Sequence, residues 1–328
     1  TRDQAPTGAP PLRLSGLDSR RVTGEADWRA TYTAPVGIRV SPFLNVRGDA
    51  YSLDDLNGVK GTSRTLSRGL LVAGADITWP FVRRFADSTV ILEPILQVAA
   101  SPDAKQVVVG TSAAGAPIYL NEDSVAFEFD ETNLFRANKF PGYDLYEDGL
   151  RVNAGGRASV FWDDGRRASL LVGRSFRQES NDVFSPQSGL RQTKSDWIVA
   201  ADAQPIKGLS FFARTRLDSD DFTVQRAEAG ANLSIKRANG YFRYLRDRAD
   251  ANGTKVENLD LGGDLYLTEH WGITAYGNRD LGITYRDDCT RVDIIYRRED
   301  TVVGRLGPTE SLAIRLTLAT LGGPLYAN

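Results

Sequence analysis

Hydrophobic residues recur at every second position along most of this chain, and hardly anywhere at helical spacing. Leu259, Leu261, Gly263, Leu265 and Leu267 alternate with Asp260, Gly262 and Asp264. Near the end, Leu312, Ile314, Leu316 and Leu318 alternate with Ala313, Arg315 and Thr317. Ala227, Ala229, Ala231, Leu233 and Ile235 interleave with Glu228, Gly230, Asn232, Ser234 and Lys236. A period of two puts each set on one face of a β-strand. The pattern predicts about fifteen strands, near 28–34, 37–50, 67–79, 88–99, 147–162, 166–178, 194–204, 208–217, 222–236, 240–247, 257–267, 271–278, 282–287, 290–298 and 310–320.

Strand length separates two architectures. Soluble strands stop near about six residues, whereas a tilted membrane strand needs about nine to eleven, and many of these segments are that long. The connections alternate as well. Short ones at Pro35-Val36, Asp163-Asp164-Gly165, Ile206-Lys207-Gly208, Ala238-Asn239-Gly240 and Glu269-His270 are separated by longer polar ones near 51–66, 100–146, 179–193, 248–256 and 299–309. Short turns on one rim and long loops on the other predict an all-β fold, a transmembrane antiparallel β-barrel with short turns in the periplasm. The 80–87 connection is long for this scheme and the 279–281 one is short. Trp28, Trp79, Trp162, Trp197 and Trp271 all fall at strand ends, as the aromatic girdles of a barrel require.

Residues 1–26, rich in Pro, Gly, Ser and Arg, predict a loop or linker. Residues 27–328 predict the barrel portion, with a long extracellular loop at 100–146. Val107-Val108-Val109, Phe127, Phe129, Leu134, Phe135 and Phe140 in that loop predict that much of it folds back onto something.

Composition narrows the function. The 328 residues carry a net charge of −2, and of 40 basic residues only 7 are lysine, without a basic run, so no nucleic-acid partner is indicated. One histidine and one cysteine exclude most zinc sites and redox CxxC pairs. No apolar stretch reaches the length of a membrane helix, which leaves a strand-built span open. The absence of methionine points to a processed chain or a fragment. Counting back from a periplasmic C-terminus, an odd number of strands points the same way.

Candidate catalytic chemistry is sparse. No GxSxG, Walker, HExxH or CxxC motif occurs. A Ser-His-Asp triad would need His270, which the pattern places in a solvated turn beside Trp271. Asp163-Asp164, Asp220-Asp221 and Asp287-Asp288 are explained by turn chemistry. Asp218-Ser219-Asp220-Asp221 as a divalent-cation loop is generic, and Arg47-Gly48-Asp49 lies inside a strand pattern. No cofactor is indicated. Cys289 falls on the short-turn rim, which the barrel places in the oxidising periplasm. It is either a free thiol or bonded to a cysteine outside this chain.

Three stretches resemble a known family. Asn121-Glu122-Asp123-Ser124, then Asn133-Leu134-Phe135-Arg136-Ala137-Asn138-Lys139-Phe140-Pro141-Gly142-Tyr143-Asp144, then Glu147-Asp148-Gly149-Leu150-Arg151 resembles the central signature of the LPS-assembly protein family, LptD. Leu281 to Cys289, with Ile294-Ile295-Tyr296-Arg297-Arg298, is similar to the family's cysteine-bearing hairpin, and Arg315 to Gly322 to its closing strand. The resemblance implies an outer-membrane barrel of a Gram-negative bacterium that takes lipopolysaccharide from a periplasmic bridge, through an N-terminal jellyroll domain not contained in this sequence. It implies release into the outer leaflet through a seam between first and last strands, and a plug lipoprotein of the LptE type. The family hairpin has two adjacent cysteines bridged to the jellyroll region; here Thr290 follows Cys289, so at most one bridge can form.

The leading expectation is therefore lipid export, not catalysis. Glu228, Lys236, Asp260, Asp264, Arg291, Asp293 and Arg315 are expected to face the lumen. Leu312, Ile314, Arg315, Leu316, Thr317 and Leu318 are expected to form one lip of a lateral gate. Asn133, Leu134, Phe135, Phe140, Gly142 and Asp144 are the signature-loop candidates. The alternatives are a general porin or ligand-gated receptor and, third, a soluble all-β hydrolase.

Overall fold

Alternating side chains and long extended segments assemble here into one wall. The computed structural model describes residues 18–54, 62–103, 106–111, 115, 117–124, 127–249, 253–277, 280–299 and 309–318. Its strands are β1 (Asp18–Arg29), β2 (Tyr32–Thr33), β3 (Arg39–Asp54), β4 (Ser63–Thr78), β5 (Phe81–Arg84), β6 (Ser88–Ser101), β7 (Val108–Thr111), β8 (Pro117–Tyr119), β9 (Gly149–Trp162), β10 (Arg167–Arg177), β11 (Trp197–Ile206) and β12 (Leu209–Leu217). They continue with β13 (Val224–Ile235), β14 (Ala238–Asp247), β15 (Val256–Tyr266), β16 (Trp271–Tyr276), β17 (Asp280–Arg286), β18 (Thr290–Glu299) and β19 (Thr309–Leu318).

All but β7 and β8 belong to one 17-stranded sheet, every pairing antiparallel between chain neighbours. Because β2 and β5 extend β1 and β4 in line, the seventeen strands make fifteen rows, the number the alternation predicts. The break between β4 and β5 has a local cause. Pro80 follows Trp79 and faces the stretch around Pro94, and neither proline has an N–H to give the ladder. β1 and β19 are not paired with each other among the described residues, so the sheet is open at both ends.

Register gives the wall two chemically distinct faces. Leu265 pairs with Ile273, Ile273 with Ile283, Ile283 with Ile294 and Ile294 with Ile314, a continuous aliphatic row across five strands. Ile314 is 73% exposed and Leu312 70%, an uncovered surface that water does not favour and lipid does. One residue along each strand, Asp264, Thr274, Thr284 and Asp293 are buried on the opposite face. β3 and β4 span 16 residues each; at about 3.3 Å per residue they overreach a tilted crossing of a ~25 Å apolar band. β16 and β17, at 6 and 7 residues, leave a notch in the long-loop rim.

Three expectations change. Residues 18–26, read as loop, are most of β1, because Val22, Ala26 and Trp28 share the outer face with Leu44 and Val46 across the pairing with β3. Residues 80–87 are not one long turn, since β5 carries the strand on and only 85–87 connect. Ala238, Asn239 and Gly240, read as a short turn, begin β14, and the turn falls at Lys236-Arg237. The described part of the 100–146 stretch folds back as its apolar residues predict: it contains the β7–β8 hairpin and lies against the inner face of the wall. Residues 1–17 of the expected leading loop and 319–320 of the expected last strand lie outside the described residues, as do Ala319 to Gly322 of the family-like closing stretch.

Candidate functional site

Two loops cover the inner face between β3 and β12. The first follows β6 and runs to β9; the second joins β10 to β11. Phe129, Leu134, Phe140 and Leu145 of the first and Val183, Phe184 and Leu190 of the second pack on Leu171, Ile198 and Ala200 of the wall. The Phe140 and Phe184 rings stack at 4.5 Å. A second cluster seats Val107, Val109, Ile118 and Leu120 on Tyr51 and Leu53 of β3. Burying this apolar surface, at about 25 cal/mol per Å², is what draws the loops inward.

Charge then fixes them. Arg68 donates to Asp49 at 2.8 Å, to the Tyr51 hydroxyl at 2.9 Å and to the Asp144 carbonyl at 2.8 Å. Arg47 donates to Asp49 and, at 2.6 Å, to the Tyr143 carbonyl, with its guanidinium over the Tyr143 and Tyr146 rings. Arg21 of β1 bridges Asp123 at 2.9 Å and Asp144 at 2.5 Å. Asp123 also accepts the Tyr143 and Asp144 N–H groups. Burial works against the Asp123 charge, but those donors and Arg21 outweigh it and hold the carboxyl below its usual range. Gly142 is required here, because a Cβ would collide with the Asp123 carboxylate.

Deeper in, Glu147 is fully buried among cations. Its Oε1 lies 2.5 Å from Arg177, 3.4 Å from Lys139 Nζ and 3.5 Å from Arg151, and Oε2 accepts the Lys139 N–H at 3.0 Å. Burial raises the Glu147 carboxyl, yet Lys139, Arg177 and Arg151 overcome it and hold the group at about 2. Lys139 Nζ continues to Asn153, which donates to Gln97, which donates to Asp76 and to the Phe135 carbonyl. These charges are paired, Lys139 and Arg151 with hydrogen bonds as well and Arg177 with its guanidinium over the Phe184 ring, which offsets the cost of burying them. Cavities of about 320 Å³, bordered by Glu25, Asp27, Arg29 and Tyr146, and about 220 Å³, bordered by Glu131, Arg214, Arg226 and Glu228, remain between loops and wall.

A family model described as LPS transport system D, LptD, matches residues 2–271. The chain belongs to the LptD family. Its role is thus in lipopolysaccharide transport, in a family of Gram-negative outer-membrane proteins. No curated protein matches it.

In this LptD-family chain the predicted signature residues come together. Leu134 and Phe140 are core, Phe135 packs against that core, and Asn133 folds the loop by donating to the Glu128 carbonyl at 2.6 Å. Of the expected lumen residues, Asp264, Arg291 and Asp293 form one knot: Arg291 donates to Asp264 at 2.8 and 2.9 Å and to Asp293 at 2.9 Å, while Thr274 and Tyr276 donate to Asp264. Asp260 shares that face and accepts from Tyr241, and Glu228 borders the smaller cavity. Lys236 does not belong with them. It follows the end of β13, exposed in the turn to β14, because the strand stops at Ile235 and the alternation no longer governs it.

On β19, Leu312, Ile314, Leu316 and Leu318 take the outer face, and Arg315 and Thr317 the inner one, Arg315 opposite Asp293 in register. Cys289 is exposed on the short-turn rim with a free thiol, so no disulfide forms within the chain. His270 sits in its turn with Nδ1 2.9 Å from the Arg286 carbonyl. Asp164, Asp221 and Asp287 accept nearby backbone N–H groups, the turn chemistry expected of them. Among the described residues no His, Cys, Asp and Glu cluster fits a metal. Sequence reading missed Arg21, Arg47, Asp49, Arg68 and Arg177, which hold the loops. A signal existed for Arg47 and Asp49, polar residues on the inward parity of a membrane-length strand.

Proposed function

We propose that the chain is part of the wall of an outer-membrane β-barrel that inserts lipopolysaccharide into the outer leaflet, with β19 as one lip of a lateral exit. The observation that carries this reading is the two-faced wall in an LptD-family chain, aliphatic rows outside and paired charges inside. A phosphorylated sugar head group suits the charged inner face, while acyl chains suit the outer one. Lateral release needs a strand pair held by ladder hydrogen bonds alone, without a hairpin turn. Arg315, beside that edge, can guide phosphate through charge-assisted hydrogen bonds. A periplasmic bridge would load the lipid through a preceding jellyroll domain, and an LptE-type lipoprotein would plug the part of the lumen that the two loops leave uncovered. A general porin is disfavoured, because those loops occupy the inner face from β3 to β12.

Cysteines placed along β19 and cross-linked to the facing strand of the full-length protein test the exit. Locking the seam should stop lipopolysaccharide from reaching the cell surface while barrel assembly continues. Undiminished export through a fully locked seam refutes it.

A further inference from the structure

The outer face of the wall carries one buried cation that the lumen network does not use. Arg174 has the parity of Leu170, Val172 and Phe176 on β10, the face opposite to Leu171 and the core. It is 7% exposed. Its guanidinium lies between two rings, 4.8 Å from the Trp197 centroid and 5.3 Å from that of Phe176. Nη2 donates to the Ser195 carbonyl at 2.5 Å, and Nε donates to nothing. Among the described residues no carboxylate lies within ion-pair distance; Asp196 and Asp220 act on it only from farther away. The Trp197 indole N–H, also buried, has no partner either.

The surroundings belong to an interface. Trp197 begins β11 at the long-loop rim, where an aromatic girdle meets the outer-leaflet head groups. Phe222 stacks on Trp197 at 6.3 Å, 60% exposed, and does so with φ at +58°. A bulky residue rarely adopts that conformation, which persists only where its surroundings impose it. An exposed aromatic is thus held in an unusual conformation on the ring that lies over Arg174.

We propose that Arg174, Trp197 and Phe222 form an outward-facing site for the phosphate group of a lipid in the outer leaflet. The guanidinium supplies the charge-assisted hydrogen bonds and the indole N–H one more. Phe222, Phe176 and Leu170, all exposed on that face, offer the acyl chains a surface. The site rests on the membrane orientation proposed above and extends it: the wall holds a phosphorylated lipid on its outside, apart from the lumen and from the β19 edge.

The test uses the full-length protein in phosphatidylcholine vesicles, with either brominated phosphatidic acid or brominated phosphatidylcholine as quencher of tryptophan fluorescence. Phosphatidic acid should quench at a concentration lower by roughly tenfold, the worth of one charge-assisted hydrogen bond. Arg174→Gln should abolish the difference, Arg174→Lys should keep part of it, and Trp197→Phe should remove the quenched component. Heat-modifiable gel mobility shows that each variant is folded. Equal quenching by both lipids in folded wild-type protein, or unchanged selectivity in Arg174→Gln, overturns the site. Relief of the quenching by inorganic phosphate would assign the selectivity to a free anion and overturn the lipid assignment. Export through the seam is read separately in cells, so either reading can fail while the other stands.

Discussion

Replacing Glu147 by Gln should release the loops from the inner face. Among the described residues, Lys139, Arg151 and Arg177, three side chains no more than 4% exposed, share Glu147 as their ion-pair partner. Glutamine keeps the volume and one acceptor but leaves three buried cations without an anion. Breaking a buried pair from one side costs about 3–5 kcal/mol. Asn153 and the Ala137 carbonyl still receive Lys139 and Arg151, which puts the expected loss at the lower end. A local opening of that size raises the open population by roughly two orders of magnitude. Hydrogen exchange of the 134–147 amides reads it directly, and tryptic cleavage at Arg136 and Lys139 reads it independently. Glu131→Gln serves as control, since Glu131 is partly exposed and pairs with Arg214 at the edge of the loop. Unchanged exchange and unchanged cleavage in Glu147→Gln would refute the idea that this carboxylate holds the loop, and would leave the apolar cluster and the Arg21, Arg47 and Arg68 contacts as its anchors.

The same carboxylate gives a pH signature. Its folded value of about 2 lies below its ordinary 4.5, so its contribution is fully present above the ordinary value and is lost as pH falls toward 2. Loop protection should therefore decline across that window, with the decline absent in Glu147→Gln. Leu265→Arg puts a charge in the outer row and should lower assembly by about 2–4 kcal/mol, a penalty specific to lipid-facing sites. Asp264→Asn breaks part of the Arg291 knot and should also destabilise, yet without hindering membrane insertion; equal insertion yields for the two would contradict the facing. Cys289 is proposed to bond with a cysteine upstream in the full-length protein, so Cys289→Ser should shift its non-reducing gel mobility; unchanged mobility with a freely alkylated thiol refutes this.

The alternation of Leu259 to Leu267 and of Leu312 to Leu318 determined the strands, their faces and their neighbours, because a side-chain period of two is local and hairpins pair in chain order. It therefore placed Asp264, Arg291 and Asp293 on one face without any knowledge of their partners. It misled at Lys236, one residue past a strand end, and at residues 18–26. There the polar Arg20, Arg21 and Glu25 hid a strand whose inner face meets other charges rather than a core. The signature loop could be recognised from its sequence, but its position could not. Only the tertiary structure brings Arg21, Arg47 and Arg68 from β1, β3 and β4 onto Asp123 and the backbone of Tyr143 and Asp144, across 75 or more residues of chain. The same holds for Arg174 between Trp197 and Phe176, a cation whose missing anion no periodicity can reveal. Periodicity reports which face a residue takes, and the free energy of a buried charge depends on what the rest of the chain brings to that face.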